Sequence, residues 1–418
     1  MSVIGAITII KLVGIAASSY GSWEAWQAMP GGKARRRLND LFRNGDLALQ
    51  LRRQRGGKQE IVRKYPKVKE VRVYDDKTTI VFTIPEGLDP AEVWKKEYLL
   101  KQGFGPYVEL TEKYSKVFIA EVYEKDIEKF AYSLDTVAAQ VTGLKVPIYV
   151  GMGRRGHVVY DAVTHPHLLI AGETGSGKSV MLRNVLTTLI MTAGDRVLLH
   201  CIDLKRSEFH LFRGAAESVD TEPVAAAQTL YKLQKEMTRR GKILEAHEVE
   251  HVDELPGDAR LPYIVLAIDE VSILADEKPL MAIVERISSI GRAYGMFLIL
   301  AMQRPDKDVL DGKLKVNLSV RMAFRLPDDV NSRIALGSGE AAAIRRDQSG
   351  RMALSLSGIQ YVQSPLLELK DAKALLAPRK AVKVGTGSAR KPAPDAPVIE
   401  TEEVAAGLWG VLDDDGEG

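Results

Sequence analysis

The sequence predicts an α/β protein with a mainly parallel sheet, preceded by a small α+β domain and an apolar N-terminal helix. Three observations carry this expectation. After Val146, short and nearly continuous apolar runs alternate with helical stretches, as strands buried on both faces of a parallel sheet do. One such run leads directly into a glycine-rich loop followed by a helix. Before Val146 the order is ββαββα, which suits a small sheet with helices on one face. The length of 418 residues suggests two or three domains. With 45% hydrophobic and 27% charged residues, the chain is neither disordered throughout nor a multi-span membrane protein. Its one cysteine, Cys201, excludes an internal disulfide and a cysteine-based zinc site, and fits a reducing compartment.

Residues 1–30 begin with the apolar stretch Val3 to Ala17, interrupted by Lys11 and followed by Tyr20, Trp23 and Trp26. Tryptophans at one end and Lys33, Arg35, Arg36 and Arg37 just beyond suit a membrane-associated helix, spanning or surface-lying. The plainer reading is a docking helix. Residues 31–65 read as a basic linker: from Lys33 to Arg72 there are fourteen Lys or Arg against four acids. Such a segment attracts DNA, anionic lipid or an acidic partner, or is simply solvated.

Residues 66–145 form the expected α+β domain. Strand-like runs at Val71–Tyr74 and Thr79–Ile84 precede a helix over Asp89–Leu100, entered through Asp89 as N-cap and Pro90. Tyr107–Leu110 and Lys116–Val122 are two further strands, and another helix begins near Asp126. Residues 146–378 form the larger domain, with strands at Leu168–Ala171, Val197–Ile202, Tyr263–Ile268, Phe297–Ala301 and Val320–Arg325. Residues 379–418 are a Pro-rich and acidic tail, expected to be disordered, with Leu408, Trp409, Val411 and Leu412 as an alternative docking motif. From Asp395 onward it holds eight acids and no Lys or Arg.

Gly172, Glu173, Thr174, Gly175, Ser176, Gly177, Lys178 and Ser179 satisfy G-x-x-x-x-G-K-[ST] at every fixed position, with Val180 opening the helix beyond. A glycine loop before a helix N-terminus turns backbone N–H groups toward phosphates. Lys178 then neutralises β- and γ-phosphate charge, and Ser179 ligates Mg2+. The strand Tyr263–Ile268 ends in two adjacent acids. Asp269 is the metal-shell candidate, and Glu270 the base for the attacking water. A second acid favours a working ATPase over a slow switch. Gln303, at the end of Phe297–Ala301, is placed to contact the γ-phosphate or its water.

These pieces in this order resemble the FtsK/SpoIIIE family of DNA translocases. The resemblance rests on His165–Gly172 running into the glycine loop, Ile202–Lys205, Glu236–Arg240, Ala267–Glu270, Gly291–Gly295, Ala301–Pro305, Arg321–Arg325 and Asn331–Arg333. It covers residues 146–370. It implies a RecA-like P-loop ATPase core, with ATP and Mg2+ as ligands, that assembles as a homo-oligomeric, usually hexameric, ring on double-stranded DNA. It also implies an arginine reaching a neighbouring subunit's ATP site. Arg321 and Arg333 match family positions for that role, with Arg292 and Arg325 as alternatives. The short build, with about forty polar residues after the core, resembles coupling proteins of Gram-positive conjugative elements, whose partners are a relaxase and a secretion channel. The expected function is thus an ATP-driven DNA motor in transfer of a mobile element, cytoplasmic and anchored through its N-terminus. The alternatives are a segregation or plasmid-maintenance translocase, and a replication or scaffold protein that binds ATP without translocating.

Overall fold

The structure, a computed structural model, describes residues 30–55, 58–310 and 312–385. The chain divides after Asp126 into two units. The predicted N-terminal helix and most of the acidic tail lie outside the described residues. Among the described residues, no helix is long and apolar enough to cross a membrane.

The first unit begins with α1 (Pro30–Asn44) and a two-stranded ribbon, β1 (Leu49–Arg55) and β2 (Lys58–Lys64). It continues with β3 (Lys67–Val73), β4 (Lys77–Thr83), α2 (Pro90–Lys95), α3 (Glu97–Phe104), β5 (Val108–Tyr114) and β6 (Val117–Tyr123). Strands β3 to β6 form an antiparallel sheet in the order β3-β4-β6-β5. Every second residue of β4, Ile80 and Phe82, is buried, as a sheet with one covered face requires. Phe82 stacks on Phe118 at 5.5 Å between ring centroids, and Phe42 of α1 meets Phe82 at 5.1 Å. Asp89 caps α2 by accepting from the Ala91 N–H at 2.9 Å.

The linker reading of residues 31–65 is corrected here. Leu38, Leu41 and Phe42 recur at helical spacing among the charges and bury one side of α1 in the core of this unit. The domain limits also shift. The first unit ends at Asp126, and α4 (Leu134–Val141) belongs to the second. Val137 and Val141 hold it there by packing on Tyr149.

The second unit continues with β7 (Pro147–Gly153), β8 (Gly156–Asp161), β9 (Leu168–Ala171), α5 (Lys178–Thr188), β10 (Val197–Ile202), β11 (Ser218–Asp220) and α6 (Pro223–Ala246). Then come β12 (Tyr263–Ile268), α7 (Lys278–Ile290), β13 (Met296–Met302), α8 (Gly312–Asn317), β14 (Val320–Phe324), α9 (Asp329–Leu336), β15 (Arg351–Ser355), β16 (Ile359–Gln363) and α10 (Leu369–Gly385). Ten strands form one sheet in the order β11-β10-β12-β13-β9-β14-β15-β16-β7-β8. The first six are parallel; the pairings from β14 onward are antiparallel. In β9, Leu168 and Ile170 join one core layer and Leu169 and Ala171 the other, so both faces are covered. The boundary at 378 is corrected as well: α10 continues through Pro378 to Gly385.

Candidate nucleotide site

The glycine loop leaves the C-terminal end of β9 and turns into α5. Gly177 precedes that helix at φ +121°, and a Cβ there would lie 2.9 Å from the Cα of Gly350. Both facts demand glycine. The loop is clasped from a distant part of the chain. The Gly350 N–H donates to the Ser176 carbonyl at 2.9 Å, and the Ser349 hydroxyl to the Gly175 carbonyl at 3.3 Å. Thr174 and Gly175 are exposed, Val180 is half-buried on α5, and Glu173 pairs with Arg325. The Ser176 Oγ is buried without a hydrogen-bond partner among the described residues.

Strand order brings the acids to this loop. β13 lies between β9 and β12, so the ends of the three strands form one rim. Lys178, with a side chain only 6% exposed, donates from Nζ to the Asp269 Oδ1 at 3.2 Å and to its carbonyl at 3.3 Å. Burial pushes the Asp269 carboxyl above its ordinary range, against the pull of Lys178. Glu270 is held on several sides. Lys205 Nζ donates to its Oε2 at 2.9 Å, Ser272 Oγ to its Oε1 at 2.6 Å, and the Gln303 backbone N–H to both oxygens at 3.2 and 3.3 Å. Gln303 is thus beside Glu270, joined to it through its backbone.

One short loop brings three side chains to the candidate site, of which sequence reasoning missed Ser207 and Glu208. After β10, the buried Asp203 accepts from the N–H groups of Ser207, Glu208 and Phe209 at 3.1, 2.9 and 2.8 Å. Arg206 adopts a left-handed φ of +54° in the resulting turn. The loop delivers three side chains to the site: Lys205 to Glu270, Ser207 to Asp269 at 3.3 Å, and Glu208 to the Ser179 hydroxyl. Burial raises the Glu208 carboxyl, and the Asp269 charge raises it further. Ile202–Lys205 already stood out in the sequence, but Glu208 carried no signal of its own.

The candidate arginines separate. Arg321 is fastened within its own chain, donating to the carbonyls of Leu318 at 3.1 Å and Lys315 at 2.6 Å. Arg325 is paired with Glu173 of the glycine loop. Arg292 is exposed, and Arg333 sits on the outer face of α9 paired with Asp329 at 2.6 Å.

Residues 135–260 match the FtsK/SpoIIIE family model. The chain carries an FtsK/SpoIIIE-family domain. It is 35% identical over 242 residues to a DNA translocase FtsK of Lactiplantibacillus plantarum, covering 53% of this chain and 30% of the relative. A DNA translocase FtsK of Borreliella burgdorferi is 36% identical over 212 residues, or 47% of this chain and 27% of the relative. The chain therefore spans less than a third of the length of these relatives. Among solved structures, the pCW3 conjugation coupling protein TcpA, in a monomer form with ATPgS, superposes with a TM-score of 0.57 at 22% identity. That match covers 83% of this chain and 99% of TcpA. ATPases 2 and 3 of EssC from Geobacillus thermodenitrificans give 0.56 at 17% identity, over 66% of this chain and 55% of theirs. These likenesses establish a shared mixed α/β fold around a large sheet.

Proposed function

We propose that the second unit binds ATP with Mg2+ and hydrolyses it to move double-stranded DNA, in transfer of a conjugative or mobile element. The observation that carries this reading is the buried pair between Lys178 of the glycine loop after β9 and Asp269 at the end of β12, with Glu270 the next residue and β13 between the two strands. The FtsK/SpoIIIE domain supports ATP hydrolysis, and the FtsK relatives support DNA as partner. The likeness in fold to TcpA, which spans 83% of this chain, favours the coupling role over segregation.

The residues fit this ligand set. The Ser179 hydroxyl and Asp269 carboxylate are hard oxygen donors of the kind Mg2+ takes. When bound, the ion supplies positive charge to the phosphate oxygens. The loop N–H groups and the N-terminus of α5 orient the phosphates, and Lys178 Nζ adds charge that Asp269 already positions. Glu270 accepts the proton of the attacking water. Ser272 and the Gln303 N–H fix its carboxylate from the protein side, and Lys205 approaches Oε2. Arg333, exposed on α9, is the arginine we assign to a neighbouring subunit's site in a hexameric ring.

The deciding measurement is steady-state ATP hydrolysis with and without double- and single-stranded DNA, in Mg2+ and after EDTA. Stimulation by duplex DNA and loss in EDTA are expected. Hydrolysis indifferent to DNA would favour the scaffold reading. Fractionating the full chain against one truncated before Pro30 tests the proposed membrane contact, and co-purification with a relaxase and channel proteins tests the coupling role.

A further inference from the structure

The structure divides the basic segment Lys33–Arg72 into charges the fold uses and charges it projects. Arg35 of α1 donates to the carbonyls of Val68 at 2.7 Å and Lys69 at 3.1 Å, and Arg37 lies over the Phe104 ring at 5.8 Å. The ribbon β1–β2 is different. Among the described residues it pairs with no other strand, and residues 49–64 hold six Lys or Arg against the single acid Glu60. The register places Arg52 opposite Ile61 and Gln50 opposite Arg63 on one face, and Arg53 opposite Glu60 and Leu49 opposite Lys64 on the other. Arg52, Arg53, Arg63 and Lys64 are all exposed. Arg63 approaches Asp46 only at 3.6 Å, with both side chains about half exposed, so little holds it there.

We infer that this ribbon is a DNA-contacting element, inserted along a groove of duplex DNA with phosphates on both sides. Seven residues per strand give a ribbon about 23 Å long, and a two-stranded ribbon fits a major groove about 12 Å wide. Basic residues on both faces suit a groove with two phosphate walls. A lipid surface meets a ribbon from one side only, which would leave the basic residues of the other face unused. Leu49, Leu51 and Val62 share one face, but Arg53 and Lys64 stand on it as well, and Ile61 lies on the other face beside Arg52 and Arg63. The inference rests on the proposed DNA-motor reading and adds a contact surface outside the ATPase unit.

The test is binding of the full chain, without nucleotide, to a labelled 30-base-pair duplex across a salt series. The variant Arg52→Gln, Arg53→Gln, Arg63→Gln, Lys64→Gln is expected to weaken binding at least tenfold at low salt. Its log–log salt slope should fall by roughly 2 to 4, about 0.9 for each phosphate no longer neutralised. Glu60→Gln, which removes the one acid, should tighten binding by roughly two- to fivefold, so the inference does not depend on how well the quadruple variant folds. Duplex binding unchanged in both variants overturns the inference, as does absence of duplex binding by the unmodified chain. A weakening seen only with vesicles of phosphatidylcholine and one-third phosphatidylglycerol would overturn it in favour of a membrane contact. ATP hydrolysis without DNA should be unchanged in the quadruple variant. Its absence from the unmodified chain would instead sink the motor reading, which separates the two failures.

Discussion

Lys178 and Asp269 form a buried ion pair, so each side chain has a structural as well as a chemical consequence. Lys178→Ala is expected to lower ATP turnover by at least about 10²-fold, the usual cost of removing a charge that stabilises the transition state. It also strands the Asp269 carboxylate, so a lower melting temperature should accompany the kinetic loss. Calorimetry beside a steady-state assay separates the two effects, and near-normal turnover would remove the loop assignment. Glu270→Gln keeps the shape of the group that Ser272 and Gln303 contact but loses the carboxylate proposed as the base. It should retain nucleotide in an equilibrium binding assay and turn over slowly; failure to bind would mean the two acids have the wrong roles. Glu208 makes a pH prediction. Its folded carboxyl is raised by burial, so the folded state holds its proton to higher pH than the unfolded state does. Its charge therefore costs stability progressively as pH rises through its ordinary range near 4.5 and on to its folded value. Glu208→Gln should melt higher than the unmodified protein above that window and lose the advantage below it. An advantage constant with pH would show that the cause is not ionisation.

At the scale of elements, the Asp203–Glu208 loop gathers three separate contacts through one buried carboxylate. Asp203→Ala releases three backbone N–H groups together. It should reduce kcat/KM for ATP by tenfold or more, because misplacing groups by about an ångström costs on that scale or above. Substituting Lys205, Ser207 and Glu208 one at a time should each do less, and steady-state kinetics on the four variants checks that order. A similar long reach explains two sequence motifs whose purpose was not apparent. Arg240 of α6, 1% exposed, donates to Glu236 at 2.8 Å and to the carbonyls of Tyr294 and Pro262, both at 2.7 Å. It ties the Glu236–Arg240 stretch to Gly291–Gly295 and to the entrance of β12. These residue types stand out in the sequence for a structural reason.

The whole-molecule prediction concerns the proposed ring. Arg333→Ala should bind ATP but lose hydrolysis, since the site of its own chain is intact. Mixing it with Lys178→Ala subunits should restore part of the activity at interfaces that combine a normal loop with a normal arginine. Full activity of Arg333→Ala alone would exclude it as the arginine supplied to a neighbour. Arg321→Ala should act mainly on stability, because Arg321 is spent on the carbonyls at the end of α8. How much of this was legible in the sequence depended on how local each determinant is. Apolar runs specified β9, β10 and β12 residue for residue, and Gly172–Ser179 stood out as a phosphate-loop pattern because loop, strand end and helix start are contiguous. The same locality failed at α1, where dense charge hid an apolar face three to four residues apart. The sequence by itself determined the alternation of strands and helices, the glycine loop and its paired acids, since each is encoded within a few residues. Only the tertiary structure decided that Ser349 and Gly350 clasp that loop, that Glu208 reaches Ser179, and that Arg321 is engaged within its own chain. Those contacts join residues from 6 to some 174 positions apart, and strand order and turn geometry bring them together where no local pattern can.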